Sequence, residues 1–327
     1  MSRIGIVGAG AWGTALAHSM AENDHHTLLW ARNDAVAAQV NNQHQNPGYL
    51  GAIALSVRLR ATANLARAIA DADFLFLATP AQTTAHTARM LIDHGVKQRT
   101  AIICCAKGLD QNNGKRVSET LADFLPDNQI MVLSGPSFAN DVASGLPTAV
   151  TLACNNMQAA LAACKTLSSN TLRLYASGDM CGVELGGALK NVMAIAAGIV
   201  KGARLGESAK AAIIARGFVE MERVAEAYGA RSETLKGLSG LGDLVLTCGT
   251  EQSRNYSYGL SLARSSADPS QKLAEGAYTA SSAKRLAERL GVEAPIITAV
   301  ADVLAGDQTI AEAVESLTSR PVKAELD

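Results

Sequence analysis

Few side chains in this sequence combine a titratable group with surroundings that would make it useful, and Lys190 is the foremost of them. It stands in Glu184-Leu185-Gly186-Gly187-Ala188-Leu189-Lys190-Asn191, a stretch of helical periodicity flanked by alanine, valine and methionine. A lysine buried there loses hydration, which disfavours its charged form. A second ammonium from Lys107, in Cys105-Ala106-Lys107-Gly108-Leu109, would lower its pKa further toward neutrality. Such an amine both gives and takes a proton. All histidines, at 18, 25, 26, 44, 86 and 94, precede residue 95, so the C-terminal half has no imidazole for that work. Asp243 lies in Gly237-Leu238-Ser239-Gly240-Leu241-Gly242-Asp243-Leu244, a run too rich in glycine for a helix interior. It is expected at a bend, its carboxylate orienting a lysine or a substrate hydroxyl. Gly186 and Gly187 weaken a helix, which predicts close approach of that backbone to a cofactor. The plainer alternatives are a snorkelling Lys190, a solvated Lys107 and a helix-capping Asp243.

An anion site is predicted nearby. Thr250-Glu251-Gln252-Ser253-Arg254-Asn255 precedes a helix expected from Tyr258, so Ser253 and Arg254 would combine N-terminal amides with a guanidinium, which suits a phosphomonoester. Ser134-Gly135-Pro136-Ser137-Phe138-Ala139 adds hydroxyls and a glycine turn after a strand.

The third constellation is Gly8-Ala9-Gly10-Ala11-Trp12-Gly13, which follows the first strand directly and opens an alanine-rich helix. In that setting Gly8 permits the tight turn, Gly10 lets a pyrophosphate approach the backbone, and Gly13 lets helix pack on strand. The helix N-terminus would face the phosphate charge. A dinucleotide is expected. The second strand ends Leu29-Trp30-Ala31-Arg32-Asn33 with no acid at its tip, so Arg32 could face a 2'-phosphate, while Asp34 keeps NAD open. The predicted cofactor is therefore NADP(H) or NAD(H). Ala78-Thr79-Pro80-Ala81-Gln82, at the end of another strand, is expected to pass under the bound dinucleotide.

These residues need a scaffold, and the chain outlines one. From Arg3 to about Tyr175 short β-branched runs alternate with alanine-rich stretches, predicting strands at Arg3-Val7, Thr27-Ala31, Asp73-Ala78, Thr100-Cys104, Ile130-Leu133, Thr148-Ala153 and Leu172-Tyr175. Continuously apolar strands such as Phe74-Leu75-Phe76-Leu77 fit a parallel sheet covered on both faces, an α/β, doubly wound, Rossmann-like domain. Between Asn41 and Asn64 the pattern lapses into a long loop or small excursion around Pro47-Gly48. Beyond about Ser177 helical periodicity takes over, at Val183-Val200, Ser208-Tyr228, Tyr258-Ser265, Thr279-Leu290 and Ile296-Ala305. The division predicted is 1–177 for the dinucleotide and 178–327 for an all-helical substrate and catalytic domain, with the active site in the cleft between them.

Composition narrows the rest. With 327 residues, 48% apolar and 18% charged, about two globular domains are expected. A net charge of -1 leaves no global field for nucleic acid or a membrane surface. Cys104, Cys105, Cys154, Cys164, Cys181 and Cys248 contain no C-x-x-C pair and no zinc-like spacing, so no metal is predicted, and reduced thiols point to the cytosol. Glycines at 5, 8, 10 and 13 argue against a leader helix, and Val192-Val200 is too short an apolar segment to span a bilayer.

Taken in order, the glycine motif continued by Thr14-Ala15-Leu16-Ala17, Lys107-Gly108, Ser134 to Ala139, Glu184 to Asn191, Gly240-Leu241-Gly242-Asp243-Leu244 and Ser253-Arg254-Asn255 closely resemble the bacterial, soluble NAD(P)-dependent glycerol-3-phosphate dehydrogenases over nearly the whole chain. The resemblance implies reversible reduction of dihydroxyacetone phosphate to sn-glycerol 3-phosphate for phospholipid synthesis, in the cytoplasm. It implies that Lys190 is the proton donor and acceptor. Ala11, Trp12, Arg32 and Tyr49 would contact the cofactor, Lys107 both cofactor and substrate, Gly135 and Ser137 the substrate, and Ala139 the cofactor. Asp243, Ser253, Arg254 and Asn255 match the substrate end, with Arg254 also reaching the cofactor. Leu273 and Glu275 match late cofactor contacts, although relatives often carry valine where Leu273 stands. A small phosphorylated substrate is implied, and the assembly stays open, a homodimer included. Two rivals share the outline: another β-hydroxyacid-type or ketopantoate-reductase-like enzyme acting on a carboxylate, and a catalytically silent nicotinamide sensor.

Overall fold

The computed structural model describes residues 1–264 and 274–321. Eight strands form one sheet in the order β3-β2-β1-β4-β5-β6-β7-β8. They are β1 (Arg3–Val7), β2 (His26–Trp30), β3 (Arg60–Thr62), β4 (Phe74–Leu77), β5 (Ala101–Cys104), β6 (Ile130–Ser134), β7 (Thr148–Ala153) and β8 (Leu172–Ser177). The interleaved helices are α1 (Ala11–Glu22), α2 (Asp34–Gln43), α3 (Pro47–Leu50), α4 (Leu65–Ile69), α5 (Thr84–Asp93), α6 (Val117–Phe124), α7 (Ala139–Ala143) and α8 (Met157–Leu167). Alternate residues of the central strands feed opposite layers, which is why those strands read as unbroken apolar runs. Ile4, Ile6, Phe76 and Ile103 enter one layer with Leu16 and Leu29. Val7, Leu75, Leu77, Ile102 and Cys104 enter the other. The strand order reverses between β1 and β4, so a crevice opens at their carboxyl ends, where ligands of such sheets bind.

One expectation about the sheet needs correcting. The sheet is not wholly parallel, because β7 runs antiparallel to β6 and β8 runs parallel to β7. The connection from Gly135 to Pro147 holds only α7, and an antiparallel neighbour needs no crossover helix. Of the two readings left open between Asn41 and Asn64 the small excursion is the one observed, since the stretch holds α3 and the edge strand β3, paired with β2 through Leu28 and Arg60. Three residues are too few to show a period, which is why β3 escapes sequence inspection.

The helical half contains α9 (Met180–Gly202), α10 (Glu207–Ala227), α11 (Ser232–Leu235), α12 (Asp243–Cys248), α13 (Arg254–Ala263), α14 (Glu275–Leu290), α15 (Pro295–Ala305) and α16 (Ile310–Thr318). Asp179 starts α9 by accepting the Gly182 N–H at 2.9 Å. Pro295 opens α15, and Gly291 and Gly306, both left-handed, close α14 and α15. At 23 residues α9 is long and apolar enough to cross a membrane, unlike the short segment foreseen, but it is the core helix about which the others pack and is almost wholly buried.

Candidate active site

At the end of β1, Gly8 adopts φ +111° and donates its N–H to the Trp30 carbonyl at 3.2 Å. A Cβ there would come within 2.8 Å of the Ala78 carbonyl oxygen, and one on Gly13 would overlap the Gly8 carbonyl. Gly10 differs: a Cβ would meet nothing within 4 Å. Gly10 also begins α1 without a side-chain cap, so the first-turn N–H groups of that helix face an open cradle. Ala11 and Trp12 are half-buried beside it. Burial pushes the Cys105 thiol up to about 12, against a smaller opposite pull from the Trp12 indole that hydrogen-bonds it. Arg32 lies exposed after β2, while Asn33 caps α2 by accepting from the Ala35 N–H at 2.8 Å and Asp34 occupies the first turn of that helix. Tyr49 is exposed on α3.

Beyond β4 and β5, Glu275 opens α14 beside Ala81 and Gly108, and burial raises its pKa against the weaker pulls of the Ala81 N–H and the Arg254 guanidinium. One Glu275 carboxylate oxygen, Oε2, is buried without a partner. A free helix N-terminus, an open cradle at Gly10 and an unsatisfied carboxylate oxygen beside Ala81 and Gly108 fit a dinucleotide with phosphates at one end and hydroxyl or amide donors elsewhere. Leu273 lies outside the described residues.

The two lysines meet on one carboxylate. Lys190 Nζ lies 3.0 Å from Asp243 Oδ1, and Lys107 Nζ lies 2.6 Å from Asp243 Oδ2. The Lys190 and Asp243 side chains are 8% and 2% exposed, so a snorkelling lysine is ruled out, whereas Lys107 at 21% faces the cleft. Burial is the largest influence on Lys190, the Asp243 charge opposes it, the Lys107 charge reinforces it, and the net result is a pKa lowered to about 8. Burial also acts to raise the Asp243 pKa, but the two ammonium groups outweigh it and hold the carboxyl below its ordinary value. Lys107 Nζ donates as well to the Gly135 carbonyl at 2.9 Å, and the same oxygen accepts from Ser137 Oγ at 3.1 Å. The turn after β6 is thereby drawn to both lysines, with Ala139 half-buried at the start of α7.

Three local expectations change. Asp243 does not stand at a bend: Leu238–Gly242 winds into a wide π turn that continues into α12. The helix after Thr250 begins at Arg254 rather than Tyr258, and Ser253 is its cap, accepting the Tyr256 N–H at 3.3 Å. The close approach at Gly186 and Gly187 is to the protein itself, since Cβ atoms there would lie 2.9 Å from the Ser239 carbonyl and 2.6 Å from Ser134 Oγ. The notch in α9 lets the Lys107 stem and the β6 turn settle against the helix.

The same winding explains what the sequence did not reveal. Thr247, one turn beyond Asp243, accepts a hydrogen bond from Lys190 Nζ at 2.6 Å and donates to Asp243 Oδ1 at 3.2 Å. An i,i+4 relation would have exposed it had the glycine run been read as helix. Asn191, adjacent to Lys190, donates to the Lys107 carbonyl at 3.3 Å and accepts from Asn255 at 2.9 Å, while Asn255 Oδ1 accepts the Gly276 N–H at 2.9 Å. This chain of amides brings the start of α13, with buried Ser253 and exposed Arg254, alongside the lysines and the start of α14. All cysteines are free, and no group of metal-ligating side chains occurs among the described residues.

Comparisons with known proteins bear on the family and the fold. Residues 3–160 match the family model for the NAD-dependent glycerol-3-phosphate dehydrogenase N-terminus, and residues 179–315 match that for its C-terminus. The sequence is 48% identical over 325 residues to a glycerol-3-phosphate dehydrogenase [NAD(P)+] of Mesorhizobium japonicum, covering 99% of this chain and 94% of that one. It is 47% identical over 326 residues to one of Brucella canis, covering 99% of each. A crystal structure of glycerol-3-phosphate dehydrogenase from Coxiella burnetii superposes with a TM-score of 0.91 at 35% identity, covering 98% of this chain and 99% of the other.

Proposed function

Because the chain belongs to the NAD-dependent glycerol-3-phosphate dehydrogenase family, and its activity is that of an NAD(P)-dependent glycerol-3-phosphate dehydrogenase, we propose that Lys190 carries the proton of a reversible reduction of dihydroxyacetone phosphate to sn-glycerol 3-phosphate. The observation that carries the reading is the buried Lys190–Asp243–Lys107 arrangement at the cleft. When bound, the nicotinamide supplies or accepts the hydride. The Lys190 ammonium protonates the oxygen that becomes the alkoxide, and its neutral form takes the proton back in the reverse direction. Asp243 keeps the ammonium stable enough to persist near neutral pH, and Thr247 fixes its orientation through the 2.6 Å contact.

Lys107 adds positive charge where negative charge develops, and Gly135 with Ser137 shapes the adjoining turn. Arg254 and the free amides behind Ser253 hold the phosphate, with Asn255 beside them. The dinucleotide is held by Gly8, Gly10, Gly13, Ala11, Trp12, Arg32, Tyr49 and Ala139 on one wall and by Lys107, Arg254 and Glu275 on the other. Residues 1–177 form the dinucleotide domain and 178–327 the substrate and catalytic domain. We place the enzyme in the cytoplasm, feeding phospholipid synthesis, with a homodimer as the assembly to test. The test is Lys190→Ala, assayed by loss of reduced-nicotinamide absorbance with dihydroxyacetone phosphate, using NADH and NADPH separately. Turnover falls by about 10²- to 10⁴-fold while cofactor affinity is kept. Near-normal turnover removes Lys190 from the mechanism.

A further inference from the structure

Apart from the lysines and their carboxylate, one buried ionic cluster joins the sheet half to the helical half. Glu184, on α9, is a buried carboxylate that accepts the Ser118 N–H at 2.8 Å, Ser118 Oγ at 2.5 Å and Arg116 Nη1 at 2.7 Å. Arg116 stands at the start of α6, where its own N–H donates to Glu119 at 2.8 Å and its Nη2 to the same carboxylate at 2.9 Å. Its guanidinium lies over the Tyr228 ring at the end of α10, 5.5 Å from the centroid, and the Tyr228 hydroxyl donates to Glu119. The cluster thus clamps α6, α9 and α10 together. A buried carboxylate with this many donors has a fixed position, because any shift strands charge away from its partners.

What the clamp holds is the pair of lysines. Lys107 leaves β5 on a hairpin that closes on itself through the Leu109–Arg116 bridge, so Arg116 is the far foot of the loop that carries Lys107. Lys190 lies six residues beyond Glu184 on α9, roughly 9 Å along the axis. Glu184 therefore ties the root of one ammonium to the root of the other, although neither lysine touches it. We propose that the Glu184–Arg116–Ser118 clamp is a positioning device for the reaction, setting the register of α9 against the Lys107 hairpin so that both ammonium groups converge on Asp243. Glu184, Arg116 and Ser118 are positioning residues on this reading, which rests on Lys190 and Lys107 forming the reacting centre.

The test uses the full-length enzyme with Ser118→Ala, which removes one donor, and Glu184→Gln, which keeps shape but removes charge. NADPH binding, titrated by its fluorescence, counts competent sites, and turnover is expressed per binding site. A displacement near 1 Å at a reacting group costs up to about 100-fold. Expected is a fall in kcat per site of about tenfold to a hundredfold in Glu184→Gln and severalfold in Ser118→Ala. NADPH affinity stays within about twofold, and the limiting pKa of kcat moves because Lys190 sits differently against Asp243. Glu184→Asp, one methylene shorter, recovers part of kcat. A drop in melting temperature with kcat per site and its pH profile unchanged in both variants overturns the proposal and leaves the cluster a stability element. Should Glu184→Gln yield no folded protein, Ser118→Ala decides alone. If Lys190→Ala itself retains turnover, the catalytic assignment has failed rather than the clamp.

Discussion

Replacing Asp243 by asparagine tests the electrostatics of the site directly, because it removes one negative charge from between two ammonium groups at almost constant shape. At 3.0 Å, two unit charges with an effective dielectric near 20 interact by about 5 kcal/mol. Residual solvation and relaxation reduce that, and pairs of this kind shift a pKa by about 1 to 3 units. The sign is fixed: Asp243 favours the charged form of Lys190, so its loss lets burial and the unopposed Lys107 charge push the Lys190 pKa below its present value of about 8. With Lys190 as the proposed proton carrier, dihydroxyacetone phosphate reduction in wild type should decline as pH rises through about 8 and the ammonium is lost, whereas glycerol 3-phosphate oxidation, drawing on the free amine, should rise over the same interval. In Asp243→Asn both limbs move toward acid by about 1 to 3 units. At pH 7.5 the reductive rate falls while the oxidative rate rises, because more of Lys190 is then the free amine. Initial rates in both directions from pH 5.5 to 10 supply the comparison. Limbs that stay within about 0.3 unit of wild type, below the shift expected for a contacting charge, would falsify the role given to this carboxylate.

Other perturbations separate cofactor binding from folding. Gly10→Ala meets no atom and leaves the apo fold intact, but it fills the cradle and weakens NADH and NADPH binding about tenfold or more, whereas Gly13→Ala collides with the Gly8 carbonyl and lowers thermal stability as well; calorimetry with and without cofactor distinguishes them. Arg32→Ala raises the Kd for NADPH by roughly tenfold with little effect on NADH, as expected for one lost charge-assisted phosphate contact, and equal effects on both cofactors would remove Arg32 from the 2'-phosphate. Glu220 caps α15 by accepting the Ile296 and Ile297 N–H groups, and burial pushes its pKa up to about 7 despite those bonds. Because the fold holds the proton more tightly than the unfolded chain does, its contribution to stability declines as pH rises from about 4.5 to about 7, by up to roughly 3 kcal/mol. Urea denaturation of wild type against Glu220→Gln across that range should show a difference that grows with pH, and a flat difference contradicts the assignment.

Much of this site could be read from the chain because its signals are local. The glycine motif after β1 works through φ angles and close contacts within a few residues, so its consequences are written in its own spacing. Lys190 stood out because a charge inside an apolar helical stretch must be buried or paired, and it is both. Ser253 and Arg254 marked the start of a helix, which the structure places at α13, and the anion site proposed there takes its choice of phosphate over carboxylate from the family match rather than from the pair itself. Where inspection failed, the deciding contacts were distant. The π turn at Leu238–Gly242 forms against the notched face of α9, and only that packing makes a glycine-rich run helical and places Thr247 beneath Asp243. The reversal at β7 rests on a short connection whose geometry, not its composition, allows antiparallel pairing.

By itself, then, the sequence determined the glycine turn after β1, the change from strands to helices after β8, and which lysine is buried within an apolar helix. Only the tertiary structure decided that Lys107 and Lys190 share one carboxylate, that Asp243 is helical, and that Glu184 clamps the halves. The reason is that hydration and charge act through space. Lys107 and Asp243 are 136 residues apart in the chain and 2.6 Å apart in the fold. The pKa of Lys190 depends on what excludes water from it and what charge replaces that water, and both are supplied by segments that meet only after folding.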